Sequence, residues 1–159
     1  MITSLWMKPG EDISAALELR KGVFQQELGW EQEQDHDLMD NYAFHLVLLL
    51  NDTPVATGRI TYGSVGNARL GRICVKKEYR RQGIGDGLVK VLDYKASQMG
   101  MQYSSVETVP ELEKFYGRIG YQKTGETVSK NGMELMIMQK ECNDGTRENC
   151  SHQCPGSKG

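Results

Sequence analysis

An α/β fold with a mixed, mostly antiparallel sheet flanked by helices is predicted by three features of this 159-residue chain. Short apolar stretches are joined by turn-forming sequences, a pattern typical of β-hairpins. Two segments beyond residue 80 carry apolar residues at intervals of three and four, which is typical of amphipathic helices. One of these helices lies between two predicted strands, so the sheet needs a parallel crossover as well as hairpins.

The first half of the chain is predicted to hold one helix and four strands. Apolar residues recur at helical spacing over 12–28, with Asp12 as the expected N-cap and Gly29 as the end of the helix. Residues 31–40 form a polar, acidic connection. Strands are expected over 2–7, 43–50, 55–62 and 68–75, the second and third joined by an Asn-Asp-Thr-Pro turn.

The second half is predicted to alternate helices and strands. A helix is expected from Ile84 to Gly100, followed by a strand over 103–107. Pro110 suits the first turn of another helix, which Gly120 ends. A hairpin over 121–127 and 134–140 closes the domain, which we place at residues 1–140. The polar tail, 141–159, is expected to pack little.

Composition bounds the class of protein. The chain is 38% hydrophobic and 25% charged, with a formal net charge of −2, as in an ordinary soluble domain. Its longest apolar run, residues 46–50, is far shorter than the ~20 residues that span a membrane. The N-terminus lacks the pattern of a signal peptide, and there is no basic tract suited to nucleic acid. We therefore expect a cytoplasmic protein that binds neither membranes nor nucleic acid.

The charge is unevenly distributed along the chain. Residues 1–60 carry a net charge of −6, and residues 61–100 carry +5. A basic middle suits an anionic ligand and an acidic first third suits a cationic one, although both could be solvated faces.

A glycine-rich segment follows the strand predicted over 68–75 and leads into the next helix. Two glycines, Gly83 and Gly85, are preceded by Arg80 and Arg81. The start of a helix presents unpaired N–H groups and the positive end of the helix dipole, and glycines let an anion approach them. Leu88 excludes the dinucleotide fingerprint, and no Gly-Lys-Ser/Thr follows as in a P-loop. The segment indicates a phosphate site, or else a turn that only lets the helix pack.

The sequence resembles the GNAT family of N-acetyltransferases over residues 1–140. Residues 80–85, Arg-Arg-Gln-Gly-Ile-Gly, match the family's Arg/Gln-x-x-Gly-x-Gly/Ala motif for acetyl-CoA. Residues 115–121, Phe-Tyr-Gly-Arg-Ile-Gly-Tyr, match its Phe-Tyr-x-x-x-Gly-Phe/Tyr segment. Residues 19–24, Leu-Arg-Lys-Gly-Val-Phe, resemble the first helix of a bacterial branch of the family.

The resemblance implies a GNAT fold in which the strands over 68–75 and 103–107 splay apart around acetyl-CoA. The pantetheine arm would pair with the backbone of Ile73, Cys74 and Val75. Thr108 stands where relatives often carry an asparagine that bonds pantetheine. Asp86, where most relatives are neutral or basic, must point away or weaken binding. The residues expected at the pyrophosphate are Arg80, Arg81, Gln82, Gly83, Ile84, Gly85 and Asp86.

Two residues are candidates for catalysis. In the family, the tyrosine at the position of Tyr116 commonly protonates or hydrogen-bonds the leaving thiolate, which a phenol with a pKa of about 10 can do. As an aromatic residue on an amphipathic helix, Tyr116 also suits a core position. Glu107 is the best-placed base for the acceptor amine, or else a solvated strand end.

The acceptor is expected to be a small cationic primary amine. Relatives form part of the acceptor site before the first hairpin, where this chain carries an acidic segment (residues 31–40) whose carboxylates would attract a cation. Within it, His36 is interpreted as a surface residue. The carboxylates of the segment are Glu31, Glu33, Asp35, Asp37 and Asp40.

The cysteines give only a weak metal signal. Cys142, Cys150, His152 and Cys154 lie close together in sequence but without paired Cys-x-x-Cys spacing, so a reduced, flexible tail is expected and no metal. Cys74 is interpreted as a core residue that can contact the cofactor.

The prediction is therefore an acetyltransferase that uses acetyl-CoA and direct attack by the amine. A non-catalytic acetyl-CoA sensor of the same fold and a metal-dependent partner-binding protein are the alternatives. A homodimer is compatible with the prediction.

Overall fold

A seven-stranded sheet with helices on both faces is described by the computed structural model over residues 1–142. The strands are β1 (Ile2–Met7), β2 (Phe44–Leu50), β3 (Thr53–Tyr62), β4 (Asn67–Val75), β5 (Tyr103–Thr108), β6 (Gln122–Lys130) and β7 (Met133–Glu141). The α-helices are α1 (Ser14–Arg20), α2 (Gln32–Asp35), α3 (Ile84–Gln98) and α4 (Glu113–Ile119). Short 3₁₀ turns cover Leu38–Asn41, Lys77–Tyr79 and Pro110–Leu112.

The strand order across the sheet is β1-β2-β3-β4-β5-β7-β6. Only β4 and β5 run parallel, joined by α3, and every other neighbouring pair is antiparallel. The mixed, mostly antiparallel sheet predicted from the hairpins and the single crossover is therefore confirmed.

Alternation along the strands divides the core between the two faces of the sheet. On β2, Leu46 and Leu48 pack with α3 and α4, whereas Val47 packs with Ala16 and Leu19 of α1. Each large aliphatic side chain buried in this way contributes about 1.5–3 kcal/mol to the free energy of unfolding. We refer to the two sides of the sheet as the α1 face and the α3 face.

The first helix differs from its prediction. It begins at Ser14, whose backbone N–H donates to the Asp12 carboxylate at 2.9 Å, so Ile13 rather than Asp12 is the N-cap residue. After Arg20 the chain continues as a wider π-helix over Lys21–Glu27. The N–H of Leu28 bonds the carbonyl of Val23, five residues back, where an α-helix would bond four residues back.

The C-terminal boundary also differs. Strand β7 extends through Glu141, and Cys142 is only 2% exposed, with its N–H bonded to the carbonyl of Gln102 at 2.8 Å. Both residues were assigned to the tail and instead belong to the sheet and its core. Cys150, His152 and Cys154 lie outside the described residues. No helix within residues 1–142 is long and apolar enough to cross a membrane.

Candidate active site

The central feature of the site is a gap between β4 and β5. The two strands pair only from Asn67 opposite Tyr103 to Leu70 opposite Val106. Beyond that point β4 continues beside β3, and β5 continues beside β7. The backbone of residues 71–75 therefore has no partner strand on the β5 side, as expected for strands that splay apart.

A β-bulge lies on β4 where the gap opens. Thr57 is paired with Cys74 but Arg59 with Gly71, so β4 carries an extra residue here. Arg72 has a φ of +48° at this bulge, in the left-handed region that non-glycine residues seldom adopt. Across from it, Gly58 allows α3 to approach, because a Cβ there would lie 2.7 Å from Leu92 Cδ1.

The direction of the backbone groups on β4 follows from the pairing with β3. The N–H of Lys76 bonds the carbonyl of Val55, so alternation turns the N–H and C=O groups of Ile73 and Val75 toward the gap. The backbone of Cys74 faces β3 instead. Ile73 and Val75 are thus the better placed of the three residues to pair with pantetheine.

The Cys74 side chain lies on the α1 face, among Val23, Phe24 and Trp30. Burial raises the pKa of this thiol to about 12. Cys74 is therefore a protonated core residue at neutral pH and a poor nucleophile.

The glycine-rich loop places the N-terminus of α3 at the end of the gap. Arg81 and Gly83 have φ values of +65° and +82°, and Gly83 is the N-cap of the 15-residue helix α3. The first intrahelical bond runs from Gly87 N–H to the Gly83 carbonyl, so the N–H groups of residues 84–86 have no partner within the helix. No heavy atom lies within 4 Å of where a Cβ on Gly83 would stand. The loop thus offers open space beside several free donors.

Two charged residues of this loop are directed elsewhere. Asp86 pairs with Lys90, one turn along α3, at 2.9 Å, so its carboxylate is turned along the helix. Arg80 donates from Nε to the carbonyl of Val75 at 2.8 Å and from both terminal nitrogens to Glu27 at 2.7 Å. Arg80 therefore braces the loop against the π-helix and also occupies the Val75 carbonyl.

Helix α4 closes the α3 face of the site. A Cβ on Gly85 would lie 3.7 Å from both the Phe115 ring and Val75, so this ring packs against the start of α3. The Tyr116 ring contacts those of Phe115 and Tyr121 edge to face, with centroids 4.9 and 5.7 Å apart. Tyr116 is 5% exposed, and burial raises its pKa to about 12.

The two candidate residues on β5 are already engaged. Glu107 lies one residue beyond the last β4–β5 pair, and its two oxygens accept hydrogen bonds from Arg69 and from Lys130, the latter at 2.6 Å. The Thr108 hydroxyl donates to the Val109 carbonyl at 3.2 Å. Each residue therefore already has hydrogen-bond partners within the protein, and each keeps capacity to accept further hydrogen bonds.

The acidic segment does not form an open cluster of carboxylates. Asp35 and Asp40 are buried, and they form ion pairs with Arg20 at 2.9 and 2.8 Å. Arg59 and Arg72 add further contacts to the segment, among them ion pairs to Asp37 at 2.7 and 3.0 Å. Three of the five carboxylates are thus matched by three arginines, and Glu31 and Glu33 alone have no ion pair among the described residues.

These ion pairs set the ionisation of the cluster. Burial raises the pKa of Asp40, but hydrogen bonds and charge from Arg20 and then Arg59 outweigh burial and hold it well below its usual range. His45, 1% exposed, donates from Nε2 to the Asp40 carbonyl, and its burial lowers its pKa. His36, at 41% side-chain exposure, is a surface residue as predicted.

Five cations that border the site were missed by sequence reasoning: Arg20, Arg59, Arg69, Arg72 and Lys130. For Arg69 and Arg72 the signal available was the excess of positive charge over residues 61–100, which was interpreted as a field for a ligand rather than as partners for carboxylates. Arg20, Arg59 and Lys130 lie outside that region. No spacing rule links residues so far apart in sequence.

A sheet that parts between two central strands, beside a glycine loop at a helix N-terminus, is the fold of the acyl-CoA N-acyltransferases. Residues 19–142 match the family model for the acetyltransferase (GNAT) domain. The chain therefore belongs to the GNAT acetyltransferase family.

Individual relatives agree with this assignment. The uncharacterized protein YyaT of Bacillus subtilis is 30% identical over 134 residues, which cover 82% of this chain and 89% of YyaT. A crystal structure of a candidate N-acetyltransferase from Lactobacillus plantarum superposes with a TM-score of 0.82 at 26% identity, covering 89% of this chain and 99% of that one. A GNAT acetyltransferase from Elizabethkingia anophelis with acetyl-CoA bound has the same fold, with a TM-score of 0.64, 16% identity and coverage of 88% and 97%.

Proposed function

We propose that this protein transfers an acetyl group from acetyl-CoA to a primary amine by direct attack. The observation that carries the proposal is the unpaired edge of β4 beside the free N–H groups at the start of α3. The edge offers Ile73 and the N–H of Val75 to the pantetheine amides, since Arg80 bonds the Val75 carbonyl, and the helix start offers donors to the pyrophosphate. The Elizabethkingia relative, which has the same fold, binds acetyl-CoA.

The loop residues divide into two groups under this proposal. Backbone N–H groups from Arg81 to Asp86 hold the pyrophosphate, with Gly83 and Gly85 permitting its approach. The Arg80 side chain acts indirectly by bracing the loop, and the Gln82 and Arg81 side chains are exposed at the same place. Thr108 can accept a hydrogen bond from pantetheine as it stands, and it can donate one only after it releases the Val109 carbonyl.

The reaction consists of one displacement at the thioester carbon. The amine nitrogen forms the new bond to the acyl carbon, the C–S bond breaks, and the electron pair leaves with sulfur as CoA thiolate. The amine must first lose one proton, because an ammonium ion has no lone pair. After the attack the nitrogen loses a second proton to give the neutral amide, and the thiolate takes up a proton from solvent to give CoA thiol. An acetyl-cysteine intermediate on Cys74 is disfavoured, since the thiol is buried and its pKa is raised to about 12.

Glu107 is proposed as the base that takes this proton. It lies at the point where β4 and β5 part, with 17% of its side chain exposed. The incoming amine would displace Lys130, whose side chain is 55% exposed, while Arg69 holds the other oxygen. Tyr116, on the opposite face of the gap, is proposed to donate a hydrogen bond to the leaving thiolate.

The experiment that tests this function is a panel of primary amines incubated with acetyl-CoA and the protein. Release of CoA that depends on the amine, with acetylated amine identified by mass spectrometry, is the expected result. Binding of acetyl-CoA without amine-dependent release across the panel would support the non-catalytic sensor instead.

A cationic acceptor is a separate part of the proposal, supported now by Glu31 and Glu33. If these side chains attract the acceptor, the apparent KM for a cationic amine should rise with added salt, because a surface field is screened within about 8 Å at physiological salt. Glu33→Gln should raise that KM further, and a neutral amine should respond to neither change. Equal behaviour of both amines would exclude a cationic preference.

A cytoplasmic location and a homodimer remain predictions. Fractionation of cells and analytical ultracentrifugation, respectively, would test them.

A further inference from the structure

Arg72 combines a backbone conformation suited to glycine with a side chain that makes several contacts. Its φ of +48° lies in the left-handed region, which a glycine would adopt without strain. The bulge itself therefore does not require arginine, and a reason for the side chain has to come from what the guanidinium contacts.

The guanidinium of Arg72 binds three residues of the acidic segment. Nε donates to the carbonyl of Asp35 at 2.9 Å, and Nη2 donates to the carbonyl of Gln34 and to the Asp37 carboxylate, each at 3.0 Å. The guanidinium carbon also lies 5.6 Å from the centre of the Trp30 ring. An arginine fork can hold several acceptors at once, which a lysine ammonium cannot do in the same geometry.

These contacts place the acidic segment beside the point on β4 where the gap between β4 and β5 opens. Arg72 immediately precedes Ile73, whose backbone faces the gap, so the segment is bonded one residue from the cofactor edge. The α3 face is closed by α3 and by Phe115 of α4. Because α3 and α4 cover the other face, the approach assigned to the amine is from the α1 face, on which this segment lies.

We propose that Arg72 is a positioning residue for the amine acceptor, because its side chain ties the acidic segment to the strand that lines the gap. The inference rests on the proposed function in assigning the gap to acetyl-CoA and the α1 face to the amine. Arg72 touches neither reacting group and acts through the segment that it holds. Arg20 and Arg59 hold the same segment from α1 and β3, so Arg72 is the contact that sets its place relative to β4.

The first test measures how firmly the Arg72 side chain attaches the acidic segment to β4 (the tether), without measuring activity. Arg72→Gly keeps a backbone that accepts the bulge and removes every side-chain contact, whereas Arg72→Lys keeps the charge but not the fork. Amide hydrogen exchange over residues 31–40 should become at least tenfold faster in both variants, while exchange in α3 and β5 stays as in the wild type. Asp52→Gly is the matched control, because Asp52 is an exposed residue with a φ of +72° in the β2–β3 turn.

The second test separates acceptor binding from cofactor binding. Both Arg72 variants should raise the KM for the amine about tenfold, leave the Kd for acetyl-CoA within threefold of wild type, and leave kcat at saturating amine within threefold. A residue that only supports the fold would weaken acetyl-CoA binding and amine binding together.

The outcomes are distinct. Wild-type exchange over residues 31–40, or a wild-type amine KM, in the folded variants would overturn the proposal. Parallel losses in acetyl-CoA affinity and amine KM would also overturn it, since Arg72 would then support the gap itself. If the wild-type protein acetylates no amine, the proposed function fails, and the exchange experiment still decides whether the tether exists.

Discussion

Burial changes what the Tyr116 hydroxyl can contribute. A phenol with its usual pKa of about 10 is close enough in acidity to protonate a thiolate. With a pKa raised to about 12, the same group remains protonated at neutral pH but gives up its proton less readily. The structure therefore favours a hydrogen bond to the leaving thiolate over a complete proton transfer.

Tyr116→Phe tests that contribution. A hydrogen bond to a charged group is worth about 1.5–3 kcal/mol, so kcat should fall roughly 10- to 100-fold, with the Kd for acetyl-CoA unchanged. Tyr94→Phe, at an exposed tyrosine on α3, should leave kcat unchanged. Stopped-flow measurement of CoA release gives the chemical step, and an unchanged rate of that step would restrict Tyr116 to packing.

Asp40 is one of the residues on which the acid stability of the site depends, together with Asp37, whose pKa is also lowered because its arginine partners outweigh burial. The folded pKa of Asp40 is lowered, so the unfolded chain binds a proton more readily than the folded one. Its contribution to stability is full above about pH 4 and is lost as the pH falls further. Urea unfolding of the wild type should therefore show a free energy of unfolding that declines below about pH 4.

Asp40→Asn should lower the free energy of unfolding at pH 7 by about 3–5 kcal/mol, because it leaves Arg20 and Arg59 buried and short of a partner. The variant should also lose part of the decline below pH 4. Glu113→Gln breaks the exposed pair with Lys123 and should cost no more than about 1 kcal/mol. If Asp40→Asn cost as little as this control, the buried cluster would not stabilise the fold as described.

At the scale of single elements, the glycine loop makes a prediction about cofactor affinity. Gly83→Asn places a side chain in the open space at the start of α3, and asparagine tolerates a positive φ. Acetyl-CoA affinity should fall at least tenfold, or ~1.4 kcal/mol. Gly100→Asn is the control, since Gly100 has a φ of +86° and open space at the other end of the same helix. Calorimetric titration in which both variants bind like the wild type would contradict the assignment of the loop.

The strands and helices themselves were largely predictable from sequence. Local signals were sufficient for α3, ended near Gly100, and for the β6–β7 hairpin, whose turn contains Asn131 and Gly132 with positive φ. The π-helix after Arg20 was not predictable, because its apolar spacing also suits an α-helix. The end of β7 was missed because Cys142 forms a backbone hydrogen bond with a distant residue, Gln102, and is buried in the core.

The site was predictable only where it is made of backbone. The Gly83–Gly85 loop acts through its backbone conformation, and the glycines in the sequence are sufficient to predict that conformation. Glu107 and the acidic segment carry theirs in side chains whose partners are far away: Arg69 is 38 residues from Glu107, and Arg59 is 22 residues from Asp37. The charged residues are evident in the sequence, but their ion-pair partners are not. The carboxylates of the acidic segment were therefore interpreted as available to a ligand, although three of them are paired with arginines.

Over the whole molecule, part of the uneven charge is compensated by ion pairs between distant parts of the chain. The acidic first third and the basic middle meet through Glu27 with Arg80 and through Asp37 with Arg72. Part of the field expected at the surface is therefore neutralised by ion pairs between these two parts of the chain. What remains for a ligand is the helix start and the unpaired edge of β4, neither of which depends on net charge.

The claim on which the whole account depends is that acetyl-CoA lies in the gap between β4 and β5. Amide hydrogen exchange with and without acetyl-CoA tests it most directly, because the N–H groups of residues 84–86 lack partners within the helix and those of Ile73 and Val75 face the gap. Exchange at these five amides should slow when acetyl-CoA binds. A surface groove of about 650 Å³ runs along α4 between Glu113 and Lys123. Protection confined to residues 113–123, with the five amides unchanged, would contradict the account.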